Sequence, residues 1–144
     1  MKTRLQKRYC ATLTLITVII SLIILPLSHG AEEGIPRITI QELKKMMDDG
    51  EEVTVIDAQP YDIYSECHIK GAISIPWKSQ LALEDVFALP GGVPIVTYCA
   101  CGPGEADSAD FARQLMQMGY NDVKVLKHPA IEGWIEAGYP VEKK

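Results

Sequence analysis

Cys99 and Cys101 are the residues of this chain whose types and spacing most clearly suggest chemistry. They follow the apolar run 94–98 (PIVTY) and lead into the glycine- and acid-containing segment 102–107 (GPGEAD), before a helical pattern begins at Ser108. In an α/β fold such a loop joins the carboxyl end of a strand to a helix whose first amides point into the loop. Those amides and the helix dipole stabilise a thiolate, so Cys99 is predicted to be a nucleophile.

The candidate site therefore has a catalytic thiol, an auxiliary thiol and a substrate-binding loop. Cys99 is the catalytic thiol because it directly ends the strand, and Cys101 is a neighbour able to resolve or protect it. The loop amides are suited to hold the anionic outer sulfur of a persulfide. The alternative is that Cys99 is an inert, buried filler at a strand end. The loop consists of Ala100, Cys101, Gly102, Pro103, Gly104, Glu105, Ala106, Asp107 and Ser108.

Two other uses of the cysteines are disfavoured by their spacing. Cys67 and His68 could join Cys99 and Cys101 around a zinc ion, but Cys-His and Cys-x-Cys match no common zinc pattern. We therefore predict no metal and no other cofactor. A thiol–disulfide function is disfavoured because Cys-x-Cys closes a tighter ring than the two-residue spacing of the common redox motif.

Strand and helix patterns alternate around these cysteines. Such alternation indicates βα units, a parallel sheet and helices on both faces. Apolar periodicity, turn residues and a capping box at Thr39 and Glu42 define the elements. The predicted helices are 40–49, a short irregular one from Pro60, 77–89, one from Ser108 towards Gly119, and one around Trp134; the predicted strands are 53–57, 72–76, 94–98 and 123–126.

The first thirty residues have the features of an export signal. Lys2, Arg4, Lys7 and Arg8 precede the apolar stretch 11–27, and small residues stand before Ala31. We interpret 1–30 as a signal peptide cleaved after Gly30 or, alternatively, as an uncleaved membrane anchor. Residues 31–37 are then a spacer, and 38–144 form an extracytoplasmic domain, in the periplasm or on the outer face of the membrane.

The charge of the chain restricts its partners. All four basic residues of the first thirty lie before the apolar stretch, so the remainder holds ten of the 14 Lys and Arg against all 19 Asp and Glu. An acidic domain without a basic stripe is a poor partner for nucleic acid or an anionic membrane surface. We expect membrane contact only through the N-terminal segment, if it stays uncleaved.

The chain resembles the single-domain rhodaneses, and its size and signal are similar to the phage-shock type of periplasmic rhodanese. This resemblance implies a five-stranded parallel sheet flanked by helices, here preceded by the export helix. It also implies a relay in which Cys99 takes sulfane sulfur from a small donor and passes it to a thiol or a protein acceptor. The matching residues are Ile38, Thr39, Glu42, Leu43, Ile56, Asp57, Tyr64, 68–72 (HIKGA), Ile75, Pro76, 96–99 (VTYC), Ser108, Ala112, Leu115, Gly119, Tyr120, Val123, Trp134, Gly138, Pro140 and Val141.

Several positions depart from the pattern of the family. Gln59 and Ile63 stand where many members have an arginine and a glutamate, and eight residues rather than about five separate Cys99 from the predicted helix start. The motif match gives His68 a structural role at a turn rather than a role as a general base.

The loop also lacks a cation. Phosphatases of this fold need a loop arginine, which is missing here, so that activity is disfavoured. Asp107 is expected to cap the helix. Because Glu105 and Asp107 would repel a dianion, we expect weak activity with thiosulfate and a preference for less charged donors. A non-enzymatic binding or sulfur-carrier module remains the alternative function.

Overall fold

The computed structural model describes residues 34–144, which form one compact unit. The predicted signal or anchor and the first three residues of the spacer, 31–33, lie outside the described residues. Among the helices of the described part, none is long and apolar enough to cross a membrane.

A five-stranded parallel sheet organises the domain. The strands are β1 (Arg37–Ile38), β2 (Thr54–Asp57), β3 (His68–Ile69), β4 (Ile73–Ser74), β5 (Ile95–Tyr98), β6 (Val123–Leu126) and β7 (Val141–Glu142). The order in the five-stranded sheet is β1-β6-β5-β2-β4. A small antiparallel sheet pairs β3 with β7. All four residues of β5 are buried because the strand has a neighbour on each side and a core on each face. The predicted α/β class and five-stranded parallel sheet are confirmed.

Five helices surround the sheet in the described part of the chain. The first begins with the predicted capping box: the Thr39 hydroxyl accepts a hydrogen bond from the Glu42 amide at 3.2 Å, and the Glu42 carboxylate accepts one from the Thr39 amide at 2.8 Å. This exchange satisfies two amides that a helix leaves unpaired at its start. The helices are α1 (Ile40–Asp48), α2 (Tyr61–Glu66), α3 (Leu83–Val86), α4 (Ala106–Gln117) and α5 (Ala130–Glu136).

Two hydrophobic cores fill the spaces between the sheet and these helices. Phe111 and Leu115 of α4 pack with Val86 of α3 against one face. Leu43 of α1 and Trp134 of α5 pack against the other. Side chains alternate between the two faces along each strand, so both cores share the same central strands. Helices therefore cover both faces, as predicted.

The segment 77–89 differs from its predicted helix, because only Leu83–Val86 is helical. The Gln114 side chain of α4 donates to the Lys78 carbonyl at 2.9 Å and accepts from the Leu81 amide at 2.6 Å. These bonds satisfy backbone groups that a helix would bond internally, and they hold the segment as a loop. Leu81 and Leu89 of this segment are buried, which explains its helix-like apolar spacing.

Candidate active site

Cys99 lies at the carboxyl end of β5, against the first turn of α4. Its side chain is 6% exposed. The Ser108 hydroxyl oxygen lies 3.4 Å from Cys99 Sγ and donates to the Glu105 carbonyl at 3.2 Å. The Thr97 hydroxyl donates to the Ser108 carbonyl at 2.9 Å and ties the strand to the helix. Strand and helix therefore hold Cys99 and Ser108 together.

The helix begins at Ala106, two residues earlier than predicted. Its first amide with a helical acceptor is that of Ala109, which donates to the Glu105 carbonyl at 2.7 Å. The loop is therefore Ala100–Glu105, closer to the usual family length than the sequence suggested. Asp107 does not cap the helix but lies in its first turn, since Glu105 occupies the N-cap position. The amides of this first turn have no acceptor within the helix, and amides in that position favour an anion.

Cys99 and Cys101 are joined by a disulfide, with their Cα atoms 5.4 Å apart. Only the exposed Ala100 separates them. The ring that we expected to disfavour a thiol–disulfide role therefore does close in this loop. Among the described cysteines, Cys67 is free, and it caps the carboxyl end of α2.

A pocket of about 320 Å³ contains both members of this cysteine pair. Of the predicted loop, Ala100, Cys101 and Asp107 line it, whereas 102–106 do not. Ser108 contacts Cys99 without lining the pocket. Among the described lining residues Asp107 carries the one formal charge, so the pocket offers no cation to an incoming anion. The full lining is Gln59, Pro60, Ile63, Cys99, Ala100, Cys101 and Asp107.

The opposite wall of the pocket comes from residues that follow β2. Gln59 and Ile63 were noted in the sequence as departures from the family pattern, not as site residues. They line the pocket because β2 pairs with β5 in parallel and places Asp57 opposite Tyr98. The shared strand end was the signal that could have identified them.

A buried hydrogen-bond network lies beneath this wall. The Tyr98 hydroxyl donates to Asp57 Oδ2 at 2.6 Å and accepts from the Ile69 amide at 3.1 Å. The Gln59 amide donates to Asp57 Oδ1 at 2.9 Å. Burial raises the pKa of Asp57, although the hydrogen bonds from Tyr98 and Gln59 oppose this effect. Burial and the neighbouring Asp57 raise the pKa of Tyr98, so its hydroxyl remains a donor.

Glu105 does not face the pocket, contrary to the expectation that its charge would oppose substrate. Its backbone is left-handed, with φ 50° and ψ 45°. Its carboxylate accepts from Arg37 Nε at 2.9 Å and from the His128 amide at 2.8 Å. Burial would raise the pKa of Glu105, but these two donors outweigh it and hold that pKa below its usual range. Glu105 therefore ties the loop to β1 and to the segment after β6.

His68 lies outside the pocket that contains the cysteines. Its ring is buried, stacks on Tyr64 at a centroid distance of 3.8 Å, and donates from Nδ1 to the Tyr64 carbonyl at 2.8 Å. The Tyr64 hydroxyl donates in turn to the Ala72 carbonyl at 2.9 Å. These contacts fit the structural role expected for His68. Within residues 34–144, no three His, Cys, Asp or Glu side chains cluster as a metal site would require.

Comparison with known proteins identifies the family. The rhodanese-like domain model matches residues 39–137. This match covers most of the chain and the whole sheet after β1. The chain therefore belongs to the rhodanese-like domain family.

Individual relatives agree with this assignment. The BH2092 protein of Bacillus halodurans superposes with a TM-score of 0.67 at 31% identity, over 75% of this chain and 77% of that one. A thiosulfate sulfurtransferase from Pseudomonas aeruginosa superposes with a TM-score of 0.65 at 28% identity, over 78% of this chain and 21% of that one. The HTH-type transcriptional regulator Rv0324 of Mycobacterium tuberculosis is 37% identical over 106 residues, which are 74% of this chain. The chain spans only 44% of that regulator's length. The present chain has a sulfurtransferase-type fold.

Proposed function

We propose that this chain is an extracytoplasmic sulfurtransferase in which Cys99 carries sulfane sulfur as a persulfide. The observation that carries the proposal is the position of Cys99, buried at the end of β5 with its sulfur 3.4 Å from the Ser108 hydroxyl, and open to a pocket of about 320 Å³. The similarity to a thiosulfate sulfurtransferase supports the same chemistry.

The reaction requires Cys99 as a thiolate, so its disulfide with Cys101 must first be opened by an external thiol. The thiolate then attacks the outer sulfur of a donor, the donor's bond to that sulfur breaks, and the remainder leaves with the electron pair. An acceptor thiolate attacks the outer sulfur of the resulting persulfide, and the Cys99 thiolate is released. When Cys99 is a thiolate, the single Ser108 hydroxyl hydrogen turns from the Glu105 carbonyl to Cys99 Sγ, 3.4 Å away. The first-turn amides of α4 favour the added anionic sulfur.

The donor is expected to carry little charge. Thiosulfate is a dianion, and the lining of the pocket supplies Asp107 but no cation. Repulsion from one partly solvated carboxylate is worth about 0.5–1 kcal/mol, so Asp107→Asn should raise kcat/KM for thiosulfate about two- to fivefold at low salt. The gain should shrink as salt screens the charge.

A monoanionic donor and a remote charge provide the comparison. Benzenethiosulfonate should exceed thiosulfate as a donor for the wild-type chain. Glu132→Gln removes an exposed charge from α5 and should leave both donors unaffected. Equal use of both donors by the wild type, with no response to Asp107→Asn, would contradict this choice of donor.

The persulfide itself is tested by intact-mass measurement of the reduced chain after incubation with benzenethiosulfonate. Wild type and Cys101→Ser should both release benzenesulfinate, and Cys101→Ser should retain one added sulfur on Cys99. Cys99→Ser should do neither. Sulfur bound by Cys99→Ser but not by Cys101→Ser would reverse the roles of the two thiols.

The second candidate is a binding or sulfur-carrier module without steady-state turnover. It is favoured by the similarity to a protein named as a transcriptional regulator. Such a module would load Cys99 with sulfur once, without repeated turnover in the presence of donor and cyanide. Sustained sulfinate release with both substrates present would reject it.

The proposed location depends on the N-terminal signal, residues 1–30. Alkaline phosphatase fused after Lys144 should be active in a bacterial host, because that enzyme requires an oxidising compartment. Deleting residues 1–30 from the fusion should abolish that activity. An inactive, soluble fusion carrying the intact signal would contradict export.

A further inference from the structure

We propose that Cys101 resolves the Cys99 persulfide, so that the chain releases hydrosulfide and is left with the Cys99–Cys101 disulfide. This inference rests on the proposed function and names one fate of the sulfur that Cys99 carries. Its basis is that Cys99 and Cys101 line one pocket and are joined by a disulfide, with their Cα atoms 5.4 Å apart. That bonded state is the protein product of the proposed step.

The step balances without any group beyond the two cysteines and the bound sulfur. The Cys101 thiolate attacks Cys99 Sγ, and the bond from Cys99 Sγ to the outer sulfur breaks. The outer sulfur, which is anionic while bound, takes the proton that Cys101 gave up on forming its thiolate and leaves with the electron pair as HS⁻. The two cysteines are oxidised by two electrons, and the sulfane sulfur is reduced to sulfide. A dithiol reductant then restores both thiols by two exchanges.

The surroundings of the pair favour attack by Cys101 over attack by another protein thiol. Cys101 is joined to Cys99 through one residue, so its effective concentration exceeds that of any free thiol. Gly102 and Gly104 follow with φ of 78° and 94°, a left-handed conformation that glycine adopts without steric cost. Cys67 does not line the pocket and does not compete.

The exposure of the two sites separates their tasks. Cys99 is buried and held against Ser108, whereas Cys101 is half-buried at the pocket wall. A reductant can therefore approach the disulfide most easily at Cys101. Attack there frees Cys99 as the leaving thiolate, in the place where the next donor binds.

The experiment uses the full chain with Cys10→Ser and Cys67→Ser, which leaves Cys99 and Cys101 as its only thiols. The protein is reduced, freed of reductant without oxygen, and mixed with one equivalent of benzenethiosulfonate, which brings no free sulfide. Sulfinate, trapped hydrosulfide and intact mass are followed in time. We expect one sulfinate and one hydrosulfide per chain, and a protein that has lost two hydrogens.

Replacing Cys101 in this background separates the resolving step from sulfur loading. Cys101→Ser should still release sulfinate and keep one added sulfur. Its hydrosulfide release, measured relative to its own sulfinate release, should be at least about tenfold slower, because the intramolecular thiol is gone. Cys101→Ala provides a second variant without a hydroxyl.

The results distinguish failure of this inference from failure of the proposed function. Equal hydrosulfide release with and without Cys101, or a stable persulfide beside a free Cys101, overturns the resolving role alone. Absence of both sulfinate and added sulfur in Cys101→Ser overturns the persulfide itself, and the resolving role with it.

Discussion

Replacing Glu105 with alanine is the sharpest test of how the loop beneath the cysteines is held. The carboxylate accepts hydrogen bonds from Arg37 Nε at 2.9 Å and from the His128 amide at 2.8 Å. Losing a charge-assisted bond to a part-buried amide costs about 1.5–3 kcal/mol. The Arg37 side chain is 36% exposed and regains water, so its ion pair adds only about 0.5–1 kcal/mol. We therefore expect Glu105→Ala to lower the free energy of unfolding by about 2–4 kcal/mol.

Glutamine at the same position separates charge from hydrogen bonding. Glu105→Gln keeps an acceptor for the His128 amide and loses the ion pair, so its cost should be about 1 kcal/mol at pH 7. The folded-state pKa of Glu105 is lowered from its ordinary value of 4.5. The stabilisation from the ionised Glu105 is therefore complete above the unfolded-state pKa, and it is lost as the pH falls through the lower folded-state pKa. The difference between wild type and Glu105→Gln should shrink accordingly in acid.

Urea unfolding followed by fluorescence of the buried Trp134 measures these differences. Glu66→Ala removes an exposed carboxylate at the end of α2 and should change stability by less than about 0.5 kcal/mol. If Glu105→Ala costs no more than Glu66→Ala, and Glu105→Gln differs from wild type equally at pH 7 and in acid, the anchoring role of Glu105 is refuted.

Two further substitutions test the surroundings of the thiol. Ser108→Ala removes the hydroxyl 3.4 Å from Cys99 Sγ. It should slow alkylation of reduced Cys99 by iodoacetamide at pH 7 about two- to tenfold, because a thiolate with fewer hydrogen-bond donors is less populated. An unchanged alkylation rate in the Cys10→Ser, Cys67→Ser background would exclude this role of Ser108. Tyr98→Phe removes the shared partner of the buried Asp57 carboxylate and the buried Ile69 amide, and should lower the free energy of unfolding in urea by about 2–4 kcal/mol. A loss no larger than that caused by Tyr120→Phe, at a part-buried tyrosine, would show that water replaces the Tyr98 hydroxyl.

The sheet and the position of Cys99 could be predicted because local sequence signals determine them. The run 94–98 is apolar on both faces and indicates a central strand, and the capping box at Thr39 marks the start of α1. Three of the four two-residue strands, β1, β3 and β7, were missed, because two residues carry no periodicity and pair through tertiary contacts.

The surroundings of the thiol were predicted less well, for a different physical reason. The sequence shows Glu105 only as an acidic loop residue near Asp107. In the structure its backbone is left-handed, and its carboxylate bonds Arg37, which is 68 residues away in sequence. Gln59 and Ile63 reach the pocket only through the pairing of β2 with β5. Long-range contacts of this kind leave no local pattern in the sequence.

The disulfide between Cys99 and Cys101 spans only two positions of sequence, and this limits what it can do for folding. A cross-link stabilises a protein mainly by removing conformations from the unfolded chain, and a ring of about three residues removes few, worth about 1.6 kcal/mol compared with about 3 kcal/mol for a 15-residue ring. Opening the bond therefore costs the domain about half of what opening a 15-residue ring would cost. Evolution could then adjust the ease of its reduction, through the residues around Cys101, almost independently of the hydrophobic cores that hold the fold together.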